Sequence, residues 1–279
     1  MLSGVLALSG VLLTTGGARG ADEPAATKAR PGGTPGAGTP NKHPDGSVIH
    51  TSVGVRGTTH RVRIAESPTD KSEGGALGLE AQALAYMRFG SLSARYTHRL
   101  AIAWGPRDWQ GGAGLDLALG PLLLVAPNTG LFARAGVRAH YFWEAGVKRS
   151  ILEAPQLQLG VERLGDGVHA ELGGRSGWAW TGSVDLPTVA EQLARGLEWG
   201  GYGALTLGVV HMGLELSQVT AIRDANEGTV SEIHGFLCGL TSIVVVCADW
   251  QSTRIPPGEG HARADVVGLF VGRGGVERR

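Results

Sequence analysis

The sequence predicts an all-β protein, an antiparallel up-and-down barrel of roughly ten to twelve strands with one short inserted helix. Apolar and polar residues alternate over long stretches, most clearly across residues 76–144. Turn signals such as Gly90-Ser91 separate these stretches, and no regular alternation of strands with helices appears. Because successive side chains of a strand point to opposite faces, each strand is expected to separate an apolar medium from a polar one.

The chain of 279 residues begins with two segments that we expect to lie outside the barrel. Residues 1–20 contain a short apolar run that ends in small residues, which predicts a signal peptide cleaved after Gly20. Residues 21–46 are rich in proline and glycine and contain little that could pack, so they are predicted to form a disordered linker. The barrel is expected over residues 47–272, and a charged tail over residues 273–279.

Strands are expected in close succession along the barrel segment. The first two are either a pair or one strand interrupted at Gly57, and a glycine-rich turn is expected at residues 173–177. The predicted strands are 47–56, 59–65, 76–89, 92–104, 113–125, 130–144, 151–163, 167–173, 177–185, 201–217, 230–246 and 263–272.

One helix is expected between two of these strands. Thr188 and Glu191 resemble a capping box just after Pro187, and apolar residues follow at helical spacing as far as Leu197. The helix is predicted to end near Gly200 and to lie over a mouth of the barrel or partly within it.

The polar face of the strands favours a membrane barrel over a soluble one. Several alternating runs reach thirteen or more residues, whereas soluble strands usually have ~5–6. Opposite charges interleaved with glycine suit a narrow lumen, where low dielectric makes pairing of charges necessary. The residues expected to face the lumen as a polar network are Glu80, Arg88, Arg95, Arg99, Arg134, Arg138, Glu162, His169 and Glu171.

Aromatic residues near the strand ends also favour a membrane barrel, because rings gather at both membrane interfaces of such proteins. Two observations weigh the other way: aromatic residues make up only 6% of the chain, and Pro121 removes a hydrogen-bond donor from one strand. The aromatic residues expected at the interfaces are Trp104, Trp109, Tyr141, Trp143, Trp199 and Tyr202.

Segments 77–89, 92–104 and 131–143, with the signal-like segment ahead of them, resemble the strands of Gram-negative outer-membrane β-barrel proteins. The resemblance covers most of residues 47–272 and is one of pattern, without a specific motif. It implies a location in the outer membrane and a lipid bilayer as the partner. Members of this class commonly finish on a strand with a terminal aromatic residue. Segment 266–271 resembles that strand, but this chain continues to Arg279.

The two cysteines, Cys238 and Cys247, are expected to form a disulfide if a turn lies between them. On one straight strand they would lie about 30 Å apart and could not bond. A turn near residues 239–242 would bring them together, and an oxidising compartment would favour the bond. The alternative is that they are two small buried apolar residues.

No catalytic residue, cofactor or metal site is predicted. The sequence contains no nucleophile elbow, zinc-protease helix or phosphate-binding loop. Lys+Arg and Asp+Glu are both 25, so nothing suggests a nucleic-acid partner. His211, Glu215 and Ser217 resemble a hydrolase set, but positions four and six apart on a strand lie ~13–20 Å from each other.

The sequence therefore favours an outer-membrane barrel of structural or small-pore type, with no enzymatic activity assigned. Arginine side chains are expected to leave little room for a wide channel. Two alternatives stay open: a soluble periplasmic or secreted barrel that binds an apolar ligand, and a barrel-embedded hydrolase. The membrane and soluble forms differ in whether Leu79, Val137 and Leu159 face outward or into a core.

Overall fold

The strands of the computed structural model pair edge to edge until the last strand meets the first. The structure describes residues 46–64, 67–105, 109–144, 147–165, 168–182, 194–221, 229–241, 243–255 and 262–278. Within these residues twelve strands form one closed antiparallel barrel. The strands are β1 (Gly46–Ile64), β2 (Ser67–Phe89), β3 (Leu92–Trp104), β4 (Trp109–Ala126), β5 (Thr129–Glu144), β6 (Val147–Gly165), β7 (Val168–Gly182), β8 (Ala194–Leu207), β9 (Val210–Ala221), β10 (Thr229–Leu240), β11 (Val244–Ile255) and β12 (Ala262–Arg278).

Each strand pairs with its neighbours in the sequence, and β1 pairs with β12 to close the barrel. This last ladder runs from Val48 opposite Arg278 to Ile64 opposite Ala262. Closure gives every strand a partner on both sides, so no unpaired sheet edge would meet lipid. The predicted all-β up-and-down barrel is confirmed.

The two ends of the barrel differ in their connections. At one end, called here the short-turn end, tight turns join successive strands, and Gly90, Asn128 and Gly208 adopt positive φ angles of 55°, 65° and 53°. Glycine and asparagine are the residues that tolerate this conformation best. The opposite end, called here the long-loop end, includes the longer connections between β7 and β8, β9 and β10, and β11 and β12.

Several predicted strands are divided differently in the structure. The first two predicted segments are one strand, β1, while 201–217 and 230–246 each split into two strands. The turn expected at 173–177 is wrong, because these residues continue β7. Two of the three glycines serve close packing: a Cβ atom on Gly173 would lie 3.0 Å from the ring of Tyr202, and one on Gly177 would lie 2.6 Å from the carbonyl oxygen of Pro155.

Two further expectations need correction. Residues 194–200, expected in the helix, begin β8 and pair with β7, while residues 183–193 lie outside the described residues. The helical spacing of apolar residues competed there with a period of two, and pairing with β7 favours the strand. The charged tail expected at 273–279 is instead the end of β12 through Arg278, held by the ladder to β1. The predicted signal peptide and linker up to Asp45 also lie outside the described residues, and Gly46 begins β1.

Pro121 lies within the closed sheet. The ladder between β4 and β5 pairs Leu119 with Ala135 and resumes with Leu122 opposite Phe132, so this ladder has no pair at Pro121, which is the register partner of Leu92 on β3. On the other side of β4, the backbone N–H of Leu122 donates to the carbonyl of Ser91 at 2.7 Å. The missing donor of proline is therefore accommodated by a local gap in one ladder.

The outer wall of the barrel is apolar and its interior is polar. Leu79 and Leu159 are 53% and 64% exposed, and Val137 also faces outward. Arg134 is only 2% exposed, and charged residues of several strands are buried inside. A soluble barrel would bury its apolar face, so this polarity is that of a transmembrane barrel, and the alternative of a soluble barrel that binds an apolar ligand is not favoured.

Among the described residues, no helix is long and apolar enough to cross a membrane.

Candidate functional site

The lumen of the barrel holds the polar residues singled out from the sequence. Eight of the nine are buried inside it, and the side chain of Arg99 is 29% exposed. The buried residues are Glu80, Arg88, Arg95, Arg134, Arg138, Glu162, His169 and Glu171. Their alternation along the strands places them on the inner face, where most join the ion pairs described below.

The first group of ion pairs, called here the Arg134 cluster, lies towards the short-turn end. The guanidinium of Arg134 donates to Glu162 at 2.5 Å and to Glu171 at 3.0 Å. Arg88 also reaches Glu162, at 3.1 Å, and the hydroxyl of Ser93 donates to the same carboxylate at 2.6 Å. The cluster joins β2, β3, β5, β6 and β7 and satisfies charges that would be strongly disfavoured if buried alone.

A second group, called here the Arg138 cluster, lies farther along the lumen. Arg138 donates to Glu198 at 2.9 Å and to Glu215 at 3.0 Å. Arg175 donates to the same two carboxylates, at 3.0 Å to Glu198. Two arginines thus share two carboxylates from β8 and β9, an arrangement in which each charge has two partners of opposite sign.

A third group lies where β1, β2, β3 and β11 face the lumen. Arg56 donates to Asp249 at 2.6 Å and lies 3.3 Å from Glu80. Arg99 reaches Glu80 at 2.9 Å. Glu80 therefore bridges two arginines, as Glu162 does in the Arg134 cluster.

Amide side chains from β6 extend the polar lining. Gln156 donates to Glu153 at 3.0 Å, Gln158 donates to Gln156 at 2.6 Å, and the hydroxyl of Tyr202 donates to Gln158 at 3.1 Å. Glu153 and Gln156 are three positions apart and would face opposite sides of a regular strand. The register shift between them brings both inside, which is what a β-bulge does.

Side chains from nearly opposite strands meet across the lumen. The rings of Tyr86 on β2 and His169 on β7 have centroids 3.8 Å apart, and the guanidinium of Arg95 on β3 lies 4.4 Å from the ring of Tyr202 on β8. A round barrel of twelve strands, spaced about 4.8 Å and tilted about 40°, has a backbone diameter of about 24 Å. A tyrosine and a histidine are too short to meet across that distance, so the cross-section is flattened here.

A third crossing joins β1 to β9. The rings of His50 and His211 stack with centroids 4.4 Å apart, and the hydroxyl of Thr206 lies 3.0 Å from His211 and 3.5 Å from His50. All three crossings lie towards the short-turn end, so side chains constrict the lumen at this level.

The aromatic residues expected at the interfaces fall into three classes. Trp104, Tyr141 and Trp199 face outward and are about half exposed, all towards the long-loop end. Trp109 and Trp143 lie in strands, but their side chains are outside the described part. The prediction of Tyr202 as an interfacial residue is wrong, because its side chain is 4% exposed and points into the lumen. It is three positions from Trp199, an odd spacing that puts the two on opposite faces of β8.

Sequence reasoning missed several lumen residues. The expected helix hid Glu198, and the expected turn hid Arg175, although alternation within a continuous strand would have placed both inward. The charged lumen residues found only in the structure include Arg56, Asp116, Glu153, Arg175, Glu198, Glu215 and Asp249.

Cys238 and Cys247 form a disulfide in the structure. They are direct register partners on β10 and β11, with Cα atoms 4.0 Å apart, and the connection after Leu240 provides the required turn. The disulfide packs inside the barrel with Leu240, Val245 and Phe270.

The possible hydrolase set does not assemble. His211, Glu215 and Ser217 all belong to β9, and His211 contacts Thr206 and His50 instead of an acid. Glu215 is engaged by the arginines of the Arg138 cluster. Among the described residues, no group of three or more His, Cys, Asp or Glu side chains could hold a metal ion.

Comparison with known proteins finds no matching protein-family model and no matching curated protein. Solved structures to which this chain is similar include a NanC porin, 12% identical over 78% of this chain and 98% of the porin, with a TM-score of 0.40. An outer membrane channel from Pseudomonas putida F1 is 14% identical over 85% of this chain and 100% of the channel, with a TM-score of 0.39. The outer membrane protease OmpT from Escherichia coli is 12% identical over 86% of this chain and 99% of the protease, with a TM-score of 0.33. These similarities are too low to assign an activity to this chain.

Proposed function

We propose that this chain is an outer-membrane β-barrel of structural or small-pore type, whose lumen is closed to wide solutes by its own side chains. The observation that carries the proposal is the contact between Tyr86 and His169, which joins β2 to β7 across the lumen. A solute that moves along this line of the lumen would have to separate the two rings.

The location follows from the form of the barrel. Its outer wall is apolar, its strands are closed and even in number, and short turns occupy one end while longer connections occupy the other. Barrels of the bacterial outer membrane share these features, with the short turns on the periplasmic side. The lipid bilayer is therefore the proposed partner of the outer wall.

The lumen clusters support weak selectivity between cations and anions. Strongly selective pores carry rings of one charge sign. Here the arginines of the Arg134 cluster, the Arg138 cluster and the third group around Glu80 all pair with carboxylates. Glu80 and Glu162 each pair with two arginines. We infer a lumen whose charges serve mainly to hold the wall together.

We also propose that the barrel is not an enzyme. The residues that resemble a hydrolase set have other partners: His211 contacts Thr206, and Glu215 pairs with Arg138. A catalytic base needs hydrogen-bond reach to its nucleophile, and β9 does not provide it.

Conductance across a planar lipid bilayer tests the proposed function. The native barrel is expected to give small current steps, and Tyr86→Ala combined with His169→Ala is expected to raise them about threefold or more by widening the constriction. The control is Thr51→Ala, an exposed outward-facing position on β1 that should leave the current unchanged. Large steps from the native protein, or no change on opening the constriction, would contradict the proposal.

A further inference from the structure

Four basic residues lie in one row across four adjacent strands at the long-loop end. Lys71 on β2 is the register partner of Arg63 on β1, Arg63 is the partner of Arg263 on β12, and Arg263 is the partner of Arg254 on β11. We call these four residues the basic row. Neighbouring strands are about 4.8 Å apart, so the row spans about 14 Å across the four strands.

The arginines of the row face outward. Arg63, Arg254 and Arg263 are all exposed, whereas the intervening positions of β1 carry lumen residues such as Arg56 and His60. Two residues farther along these strands, towards the short-turn end, lie Arg61, Glu73 and Asp265. Glu73 pairs with Arg61 at 2.5 Å, and Asp265 pairs with Arg263 of the row at 2.9 Å. Among the described residues, these two levels together carry more basic than acidic residues, so this part of the wall is positive.

Like charges directly opposite each other on neighbouring strands destabilise a sheet. Arg63 faces Arg263 and Arg263 faces Arg254 in this way, and Asp265 can balance only part of that charge. An anion that lies across the row would remove the repulsion. Arginine is well suited to this because its planar guanidinium binds phosphate through paired hydrogen bonds.

The distance of the basic row from the apolar part of the outer wall indicates which kind of anion it would meet. Trp250 and Val267 are register partners at the edge of that apolar part, and both are exposed on the outer wall. Arg254 and Arg263 each lie four residues farther along, about 10 Å nearer the aqueous phase for strands tilted about 40°. This is the level of the lipid headgroups, and long arginine side chains reach towards such groups.

We propose that the basic row binds the phosphate groups of anionic lipids in the leaflet at the long-loop end. The inference rests on the proposed membrane location. It adds that the outer wall prefers phosphate-bearing anionic headgroups on one side of the barrel, over β2, β1, β12 and β11. Surface electrostatics alone would attract anionic lipid diffusely, whereas the row binds it at a defined place.

The test measures lipid retained by the folded protein in detergent micelles containing phosphatidylglycerol or phosphatidylcholine, by native mass spectrometry. Native protein is expected to retain phosphatidylglycerol preferentially, and Arg63→Gln combined with Arg254→Gln is expected to lower that affinity about tenfold. The matched control is Arg163→Gln combined with Arg273→Gln. Both arginines are exposed at the short-turn end, and Arg273 has valine partners on both sides. The control pair should change retention by less than about twofold.

Three outcomes would overturn the inference: equal retention of the two lipids, an equal loss in the control, or displacement of phosphatidylglycerol by inorganic phosphate at low concentration. The last would show a site for free phosphate and not for a headgroup. The two proposals fail separately. A barrel that inserts and conducts as expected without lipid preference overturns only the basic row, whereas a protein that stays folded in water without lipid or detergent overturns the membrane function.

Discussion

Arg134 on β5 and Glu162 on β6 form a buried ion pair with Nη2 and Oε2 2.5 Å apart. Neither side chain is more than 5% exposed, and Glu171 and Arg88 provide the other halves of their charge balance. The pair is thus the centre of a network in which each member is stabilised by the others, and loss of one member would leave an uncompensated charge inside the lumen.

Replacing Arg134 with methionine is expected to destabilise the folded barrel by about 3–5 kcal/mol, because Glu171 loses its arginine and Glu162 keeps only Arg88. Urea unfolding in detergent micelles, followed by tryptophan fluorescence, measures the change. The control is Arg61→Met at the exposed pair with Glu73, which should lower the free energy of unfolding by no more than about 1 kcal/mol. Equal effects at the two sites would show that the lumen network is not structurally important.

Introducing a charge on the outer wall tests the lipid contact. Leu159→Arg, near the middle of β6, is expected to destabilise the barrel in lipid vesicles by about 2–4 kcal/mol, because the charge would enter the hydrocarbon. Val209→Arg changes an equally exposed residue in the turn between β8 and β9 and should change stability by about 0–1 kcal/mol. A soluble barrel would tolerate both substitutions alike.

Two glycines of β7 give a matched test of close packing. A Cβ atom on Gly177 would lie 2.6 Å from the backbone carbonyl oxygen of Pro155, whereas one on Gly174 would have nothing nearer than 3.7 Å. Gly177→Ala is expected to destabilise the barrel by about 1–3 kcal/mol, and Gly174→Ala to change stability by about 0.5 kcal/mol or less. Urea unfolding midpoints in micelles distinguish them, and a neutral Gly177→Ala would contradict the packing at the β6 bulge.

The disulfide gives a chemical prediction. Titration of non-reduced, unfolded protein with a thiol reagent is expected to find no free thiol, since Cys238 and Cys247 are bonded. Reduction of the unfolded protein should release both. Two thiols in the non-reduced protein would reject the bond, and Cys238→Ser, which leaves Cys247 without a bonding partner, should give one thiol as a calibration of the assay.

The two faces of most strands could be predicted from the sequence. Glu80, Arg134 and Glu162 belong to clean alternating runs, and the period of two is a local property that survives any error in strand boundaries. The prediction failed where a strand contains a local sequence pattern that is typical of a turn or a helix. The glycines around Arg175 resemble a turn, and the apolar spacing before Gly200 resembles a helix, so Arg175 and Glu198 were missed.

By itself the sequence therefore determined that this protein is an antiparallel barrel whose strands each have one apolar and one polar face, because the alternation is a local property of each strand. That the apolar face lies outside and the charged face inside was decided by the closed structure. Only the tertiary structure decided which charges meet. Arg88 and Glu162 are 74 positions apart, and Tyr86 meets His169 from nearly opposite sides of the lumen. Such partners depend on strand register, bulges and the flattened closure of the whole sheet, and these are set by all twelve described strands together.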